Sequence, residues 1–296
     1  MTTAAKNLSA ISRLFSSTVL RELAEKGRSP LFARLLADSG LMDTQLAAGT
    51  VGACFESAFA ALRKAGGRDE YVYKSALTHN ILLGRHSLGT ASLLTEFRAG
   101  LCKADVAILN GTSTVYEIKS ERDTLSRLEN QVQNYRKVFA KVYVVVAEPF
   151  IDQVLELTDV DVGVMCLARW NRVNTVREAV DRADAVCPTT IFDSLRLTEA
   201  MMILESWGAT IPDLPNTKIR EALKQQFVLL PPQFVHAEMV RVLKDTRSLA
   251  SLSDFVDQLP HSLKTAALST RLRLKDHQRL LTTLSTPTHQ AMEWAF

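Results

Sequence analysis

Four β-forming runs crowd into residues 95–147: TEFRAG, KADVAILNG, TSTVYEIKS and KVYVVVA. Between the third and the fourth, Leu125, Leu128, Val132, Tyr135 and Phe139 recur on one helical stripe. The spacing predicts a helix over 124–139, with Asp123 as its N-cap. Strand, helix and a second, all-apolar strand make a crossover unit, so the run from Val142 to Ala147 should be buried on both faces of a sheet. VGVMCLARW, residues 162–170, reads as a fifth strand. The centre of the chain is therefore α/β.

The flanks have a different texture. From Leu8 to about Gly66 apolar residues return at helical spacing, and Glu70 to Leu83 reads as a further helix with Gly84 as its stop. Ser87 to Leu94 reads as one more short helix. After Cys187-Pro188 the strand signals end, and helices follow, separated by prolines. The chain of 296 residues exceeds one ordinary core. It divides into a helical N-terminal region (1–84), a core (85–187) and a helical C-terminal domain (188–296).

Composition excludes several classes. The chain is 47% hydrophobic and 23% charged, as a folded globular protein is. Thirty-five basic and 32 acidic side chains leave +3, too little to argue for nucleic acid without a concentrated patch. Cys54, Cys102, Cys166 and Cys187 stand far apart, with no CxxC pair, and read as reduced thiols. The opening MTTAAKNLSAISRLFSS lacks the apolar stretch of a signal peptide, and no run approaches the roughly 18 apolar residues of a membrane span. A cytoplasmic protein is expected. There is no P-loop, G-x-G-x-x-G, G-x-S-x-G or H-E-x-x-H, so no nucleotide cofactor is expected.

Chemistry concentrates on the third strand, where alternation sets Val115, Glu117 and Lys119 on one face. In isolation such a pair reads as an exposed cross-strand ion pair. Asp105, on the preceding strand, changes that if the hairpin register brings it opposite Glu117. A two-residue turn at Asn110-Gly111 would pair Leu109 with Thr112 and send Asp105 to the wrong face. A three-residue loop with Gly111 left-handed pairs Leu109 with Ser113 and sets Asp105 across from Glu117. Two carboxylates about 5 Å apart then suit a hard divalent cation, Mg²⁺ or Mn²⁺, with the Ile118 carbonyl and Glu96 as further oxygen ligands. Lys119 would stabilise the oxyanion.

Asp105, eleven intervening residues and then Glu117-Ile118-Lys119, in an αβββαβ order, resemble the PD-(D/E)XK (restriction-endonuclease-like) nuclease superfamily. The motif here opens Ala104-Asp105 where the name implies Pro-Asp. The stretch from Thr95 to Tyr135 is also similar to a bacterial family within it that carries an E-I-K-S-x-x-D-x-L core and no assigned substrate. EYVYKSALTHNILLGRHS before it and PDLPN after it look similar to longer members. The resemblance implies metal-dependent phosphodiester hydrolysis, with Asp105, Glu117 and Lys119 as ligands and catalytic lysine. Gln131 and Tyr135 resemble the Q-x-x-x-Y element of RecB-like nucleases, where such residues touch DNA; core packing is the bland reading of Tyr135.

Further nucleic-acid contacts are expected from Lys74, Arg85 and His86, which otherwise read as cations completing a helix end. The basic run holding Arg271, Arg273 and Lys275 is the best local candidate for backbone binding. The function expected is Mg²⁺-dependent cleavage of DNA, in phage defence or repair. Two alternatives stay open: a degenerate nuclease scaffold that binds nucleic acid or protein, and a subunit active only with a defence-system partner; a homo-oligomer is the other partner arrangement left open.

Overall fold

The computed structural model describes residues 3–64, 68–168 and 171–295. It is a mixed α/β protein with one six-stranded sheet and many helices. Chain contacts divide it into two units, one of residues 1–78 with 251–296, the other of residues 79–250. Among the described residues no helix is long and apolar enough to cross a membrane.

The first unit is helical. Ser16, Ser29, Asp43 and Asp69 each cap a helix by accepting a backbone N–H, and Gly27 closes the Ser17–Lys26 helix in the left-handed conformation. Its core includes an aromatic cluster: Phe15 packs on Phe55, Phe59 and Tyr71, and Phe32 on Phe55 and Trp294. The two ends of the chain are stitched together by Val51 N–H donating to Thr286 O (3.0 Å) and Thr288 N–H donating to Gly49 O (2.9 Å).

The second unit holds the sheet: β1 (Ser92–Ala99), β2 (Cys102–Asn110), β3 (Thr112–Lys119), β4 (Lys141–Val146), β5 (Gly163–Leu167) and β6 (Val173–Arg177), adjacent in that order. β1, β2 and β3 are antiparallel, β3, β4 and β5 parallel, and β6 antiparallel to β5. The helix Leu128–Tyr135 makes the crossover from β3 to β4. Val142 to Val146 are all buried, as an all-apolar strand in a covered parallel sheet requires. Val115, Val144 and Val164 share one core with Leu128, Phe192 and Met239. Each such side chain taken from water contributes about 1.5–3 kcal/mol.

Several sequence expectations are corrected. The crossover helix starts at Leu128, not Thr124, and Asp123 does not cap it. Asp123 instead accepts from Ser120 N–H (2.9 Å) and Ser120 Oγ (2.6 Å), a local turn that competes with helix. Gly84 is not a stop. The chain runs from helix Glu70–Leu77 through a π-helical turn, Thr78–Leu82, into Leu83–Arg85, and a Cβ on Gly84 would lie 2.8 Å from His79 O. Ser87 to Leu94 is no helix. Ser87 and Thr90 close a turn on each other and β1 begins at Ser92.

The three consecutive regions also give way to a different division. Helices Pro188–Ser194, Leu197–Ser206, Asn216–Val228 and Pro232–Thr246 belong to the sheet unit, sharing its core through Phe192, Ile203, Phe227 and Met239. Residues 251–296 belong with the first 78. The fifth strand occupies Gly163–Leu167, while Arg169 and Trp170 of that run lie outside the described residues. β6 was not anticipated.

His236, on the Pro232–Thr246 helix, ties that helix to the sheet. Ser113 Oγ accepts from Ala140 N–H (3.0 Å), so its own proton is available to the His236 Nε2, 2.8 Å away. A neutral imidazole can accept that proton at Nε2. Burial lowers the His236 pKa from 6.5, against an opposing contribution from Asp181. A depressed folded pKa means stability is full above the unfolded value and is lost as pH falls below it. We predict that the urea midpoint falls between pH 7.5 and 5.5, and falls less in His236→Gln; an identical acid loss in the variant would count against this. His261 and His277 are lowered by burial too, so the variant recovers only part.

Candidate active site

Gly111 has φ 70° and open space around its α-carbon, so the β2–β3 hairpin turns with that residue left-handed. Asn110 pairs with Thr112 and Leu109 with Ser113, the odd-length loop that the parity argument demanded. Pairing continues to Val106 with Tyr116 and stops. The next rung, by the same count, is Asp105 across from Glu117. There Asp105 Oδ2 accepts the Ile118 N–H at 2.9 Å in place of a ladder bond. The N–H and C=O of one strand residue point to the same side, so the Ile118 carbonyl is directed toward β2 as well.

The β1–β2 ladder opens at the same level. Thr95 pairs with Val106 and Phe97 with Ala104, leaving Glu96 and Asp105 as the skipped rung. Glu96 has φ 53°, a left-handed conformation that costs a non-glycine residue about 1–3 kcal/mol and that clusters at functional sites. Three neighbouring strands thus set Glu96, Asp105 and Glu117 in one row. A carboxylate oxygen of Glu96 and one of Asp105 lie within 4.8 Å of each other. Glu96 is exposed, Asp105 half-buried, and Glu117 only 1% exposed.

Glu117 is enclosed by donors. Its Oε1 accepts from Lys119 Nζ at 2.8 Å and from Gln131 Nε2; its Oε2 lies 2.6 Å from the Tyr135 hydroxyl. Lys119, 5% exposed, also donates to Gln131 Oε1 at 2.8 Å. The Tyr135 hydroxyl lies 2.8 Å from the Lys103 carbonyl as well, so its single proton is shared between two acceptors. Burial first, and then the Glu117 charge, raises the Tyr135 pKa, which keeps that proton in place. Burial likewise raises the Cys102 thiol, with Glu117 adding to it, so this neighbour stays protonated.

The other expected site residues fare differently. Gln131 is beside the lysine, as the i, i+4 spacing with Tyr135 suggested, but both belong to the Glu117 cage. Tyr135 is fully buried and offers no surface to DNA. Lys74 is paired with Glu70 at 2.5 Å. His86 Nδ1 lies 2.7 Å from Asn110 Nδ2, and Arg85 is exposed, its charge felt by Tyr116 and Tyr143. Arg273 bonds the buried Asp276 at 2.6 Å and approaches Glu25 at 3.9 Å; Arg271 and Lys275 are exposed. Those three basic residues belong to the helical unit, and the acid row to the sheet unit.

Sequence reasoning missed Asn134, buried on the same helix turn as Gln131 and Tyr135, whose side chain accepts the Leu101 N–H at 3.0 Å. A buried amide three residues after Gln131 was the available signal.

Removing one partner of a buried ion pair strands the other charge, at a cost of about 3–5 kcal/mol. Glu117→Ala should therefore lower stability by about that much in urea unfolding, and Glu117→Leu/Lys119→Met should recover most of the loss. Additive losses in the double variant would show that the two charges are not coupled.

Comparison with known proteins comes to the same region. The family description "Bacteriophage P4 protein cII" matches residues 63–266. Protein cII of Enterobacteria phage P4 is 29% identical over 154 residues, 52% of this chain and 52% of that protein, so the chain spans about half the length of this curated relative. A solved structure of a protein of unknown function from Silicibacter pomeroyi covers 40% of this chain and 80% of its own at 19% identity, with a TM-score of 0.28, too low to carry an argument. The family match takes in the whole sheet and every residue of the acid row, and the chain belongs to the bacteriophage P4 protein cII family.

Proposed function

We propose that the chain is a metal-dependent nuclease of the PD-(D/E)XK type that hydrolyses phosphodiester bonds in DNA. The observation that carries this reading is a buried lysine with an uncommitted donor next to a row of three carboxylates. Lys119 uses two of its three N–H donors, on Glu117 and Gln131, and among the described residues no other partner takes the third. The β1-β2-β3-helix-β4 order supports the same reading.

Glu96, Asp105 and the Ile118 carbonyl form an all-oxygen donor set, two of them carboxylates within 4.8 Å, which fits Mg²⁺ or Mn²⁺ and not a soft metal. Bound there, the cation would acidify water and polarise a phosphodiester oxygen. Overall, water adds to phosphorus, one P–O ester bond breaks, and the leaving oxygen takes a proton. Lys119 contributes its third N–H to the charge that develops on phosphate oxygen. Gln131 and Tyr135 hold Glu117, and Glu117 holds the ammonium charged and aimed.

A second reading has one observation in its favour: Glu117 is almost completely enclosed, with both oxygens partnered, as in a binding scaffold that keeps the motif for structure. Supercoiled, linear and single-stranded DNA, and RNA, incubated with Mg²⁺, Mn²⁺ or EDTA separate the two. The hydrolase reading predicts cleavage abolished by EDTA and reduced at least a hundredfold, about 2.7 kcal/mol of barrier, in Asp105→Asn and in Lys119→Ala. Wild type that cleaves nothing, or variants as active as wild type, would leave the scaffold.

A further inference from the structure

The β1–β2 hairpin continues past the acid row to its tip at Gly100-Leu101. On its exposed side Glu96 and Asp105 are followed, two rungs out, by Arg98 and Lys103, which are directly paired across the two strands. Like charges placed opposite each other cost stability. Among the described residues neither cation has an ion-pair partner; Arg98 Nε only reaches the Gly100 carbonyl, at 3.4 Å. Beyond them stands Leu101, 90% exposed, the most exposed large apolar side chain of the described residues.

The tip is held in place. Gly100 is left-handed at φ 60°, and a Cβ there would strike the Asn134 side chain. Asn134, 5% exposed, accepts the Leu101 N–H at 3.0 Å and donates to the Asn130 carbonyl at 2.8 Å. The helix that cages Glu117 therefore also clamps the tip. Arg127 precedes that helix, exposed, and its charge is felt at Cys102, the first residue after the turn.

We propose that this tip is a DNA contact: Arg98 and Lys103 bind backbone phosphates of the strand whose phosphate about two steps along faces Glu96 and Asp105, and Leu101 packs on a base or sugar. The proposal rests on the reading of the acid row as a nucleic-acid site. Charge complementarity selects the occupant: two uncompensated cations, fixed in position, match a polyanion, and an apolar side chain held out between them matches the wedges that proteins press against bases. Two strand positions advance about 6.6 Å, roughly two phosphate steps along one DNA strand.

The test is fluorescence anisotropy with labelled single-stranded and duplex DNA in EDTA, between 50 and 200 mM salt. Losing two phosphate contacts on duplex should reduce the slope of log K against log salt by about 1.8 in Arg98→Gln/Lys103→Gln. Wild type then loses about twelvefold more affinity than the variant across that range. Leu101→Gln should weaken binding roughly fivefold at every salt concentration with the slope unchanged. Equal slopes in wild type and the double variant, or no DNA binding by wild type, overturn the proposal. Should the glutamines lower the melting temperature, Leu101→Gln, at a side chain that touches almost nothing, decides in their place. Cleavage is scored separately with Mg²⁺. Salt-sensitive binding without cleavage removes the hydrolase reading alone, and cleavage with an unaltered slope removes the tip alone.

Discussion

A carboxylate and an ammonium buried together in the middle of a sheet are the constraint around which the second unit is organised. Taking Glu117 and Lys119 out of water is expensive, and their attraction repays it only if the remaining lone pairs and protons are met. Gln131 and Tyr135 meet them, and both come from the crossover helix, so satisfying the charge fixes the helix on the sheet. The same requirement explains why Tyr135, which reads as a packing residue, keeps its hydroxyl inside. A phenylalanine would fill the space and leave Glu117 Oε2 short of a donor.

With Glu117 inside, the two outer acids face solvent. Both ladders flanking β2 open at Asp105, so its carboxylate and the Ile118 peptide are released from sheet pairing at one level. Glu96 reaches that level through a left-handed backbone conformation, uncommon for a non-glycine residue. The result is a graded row: a caged acid, a half-buried acid and an exposed acid. Within that row Lys119 pairs with the caged acid, Glu117, at 2.8 Å. The physical basis for proposing a divalent ion between Glu96 and Asp105 is that their carboxylate oxygens lie within 4.8 Å of each other, a spacing that one hard cation can bridge.

Much of this was legible in the sequence because strand chemistry has a period of two. The parity of the Asn110-Gly111-Thr112 loop decided whether Asp105 and Glu117 could share a rung, and the all-apolar run from Val142 announced a covered strand. What failed were local competitions and long-range packing. Asp123 has the side chain of an N-cap and spends it on Ser120; Gly84 has the look of a stop and serves a close approach to His79. Helical periodicity after Pro188 could not say which helices join the sheet, because Phe192, Phe227, Leu268 and Leu280 look alike along a chain although they belong to different units. Nor could alternation reveal the positive φ at Glu96, since glutamate is not a residue whose presence signals that conformation.

Membership in the bacteriophage P4 protein cII family covers the sheet unit and supplies no chemistry, so the chemical claim stands on the residues. That claim is that the Glu96–Asp105 rung holds a divalent cation. Titration of the purified chain with Mn²⁺, followed by electron paramagnetic resonance, tests it without any substrate. The account predicts saturable binding that weakens at least tenfold in Asp105→Asn and in Glu96→Gln while Arg98→Gln binds as wild type. Absence of saturable Mn²⁺ binding, or binding indifferent to both acids, would contradict it.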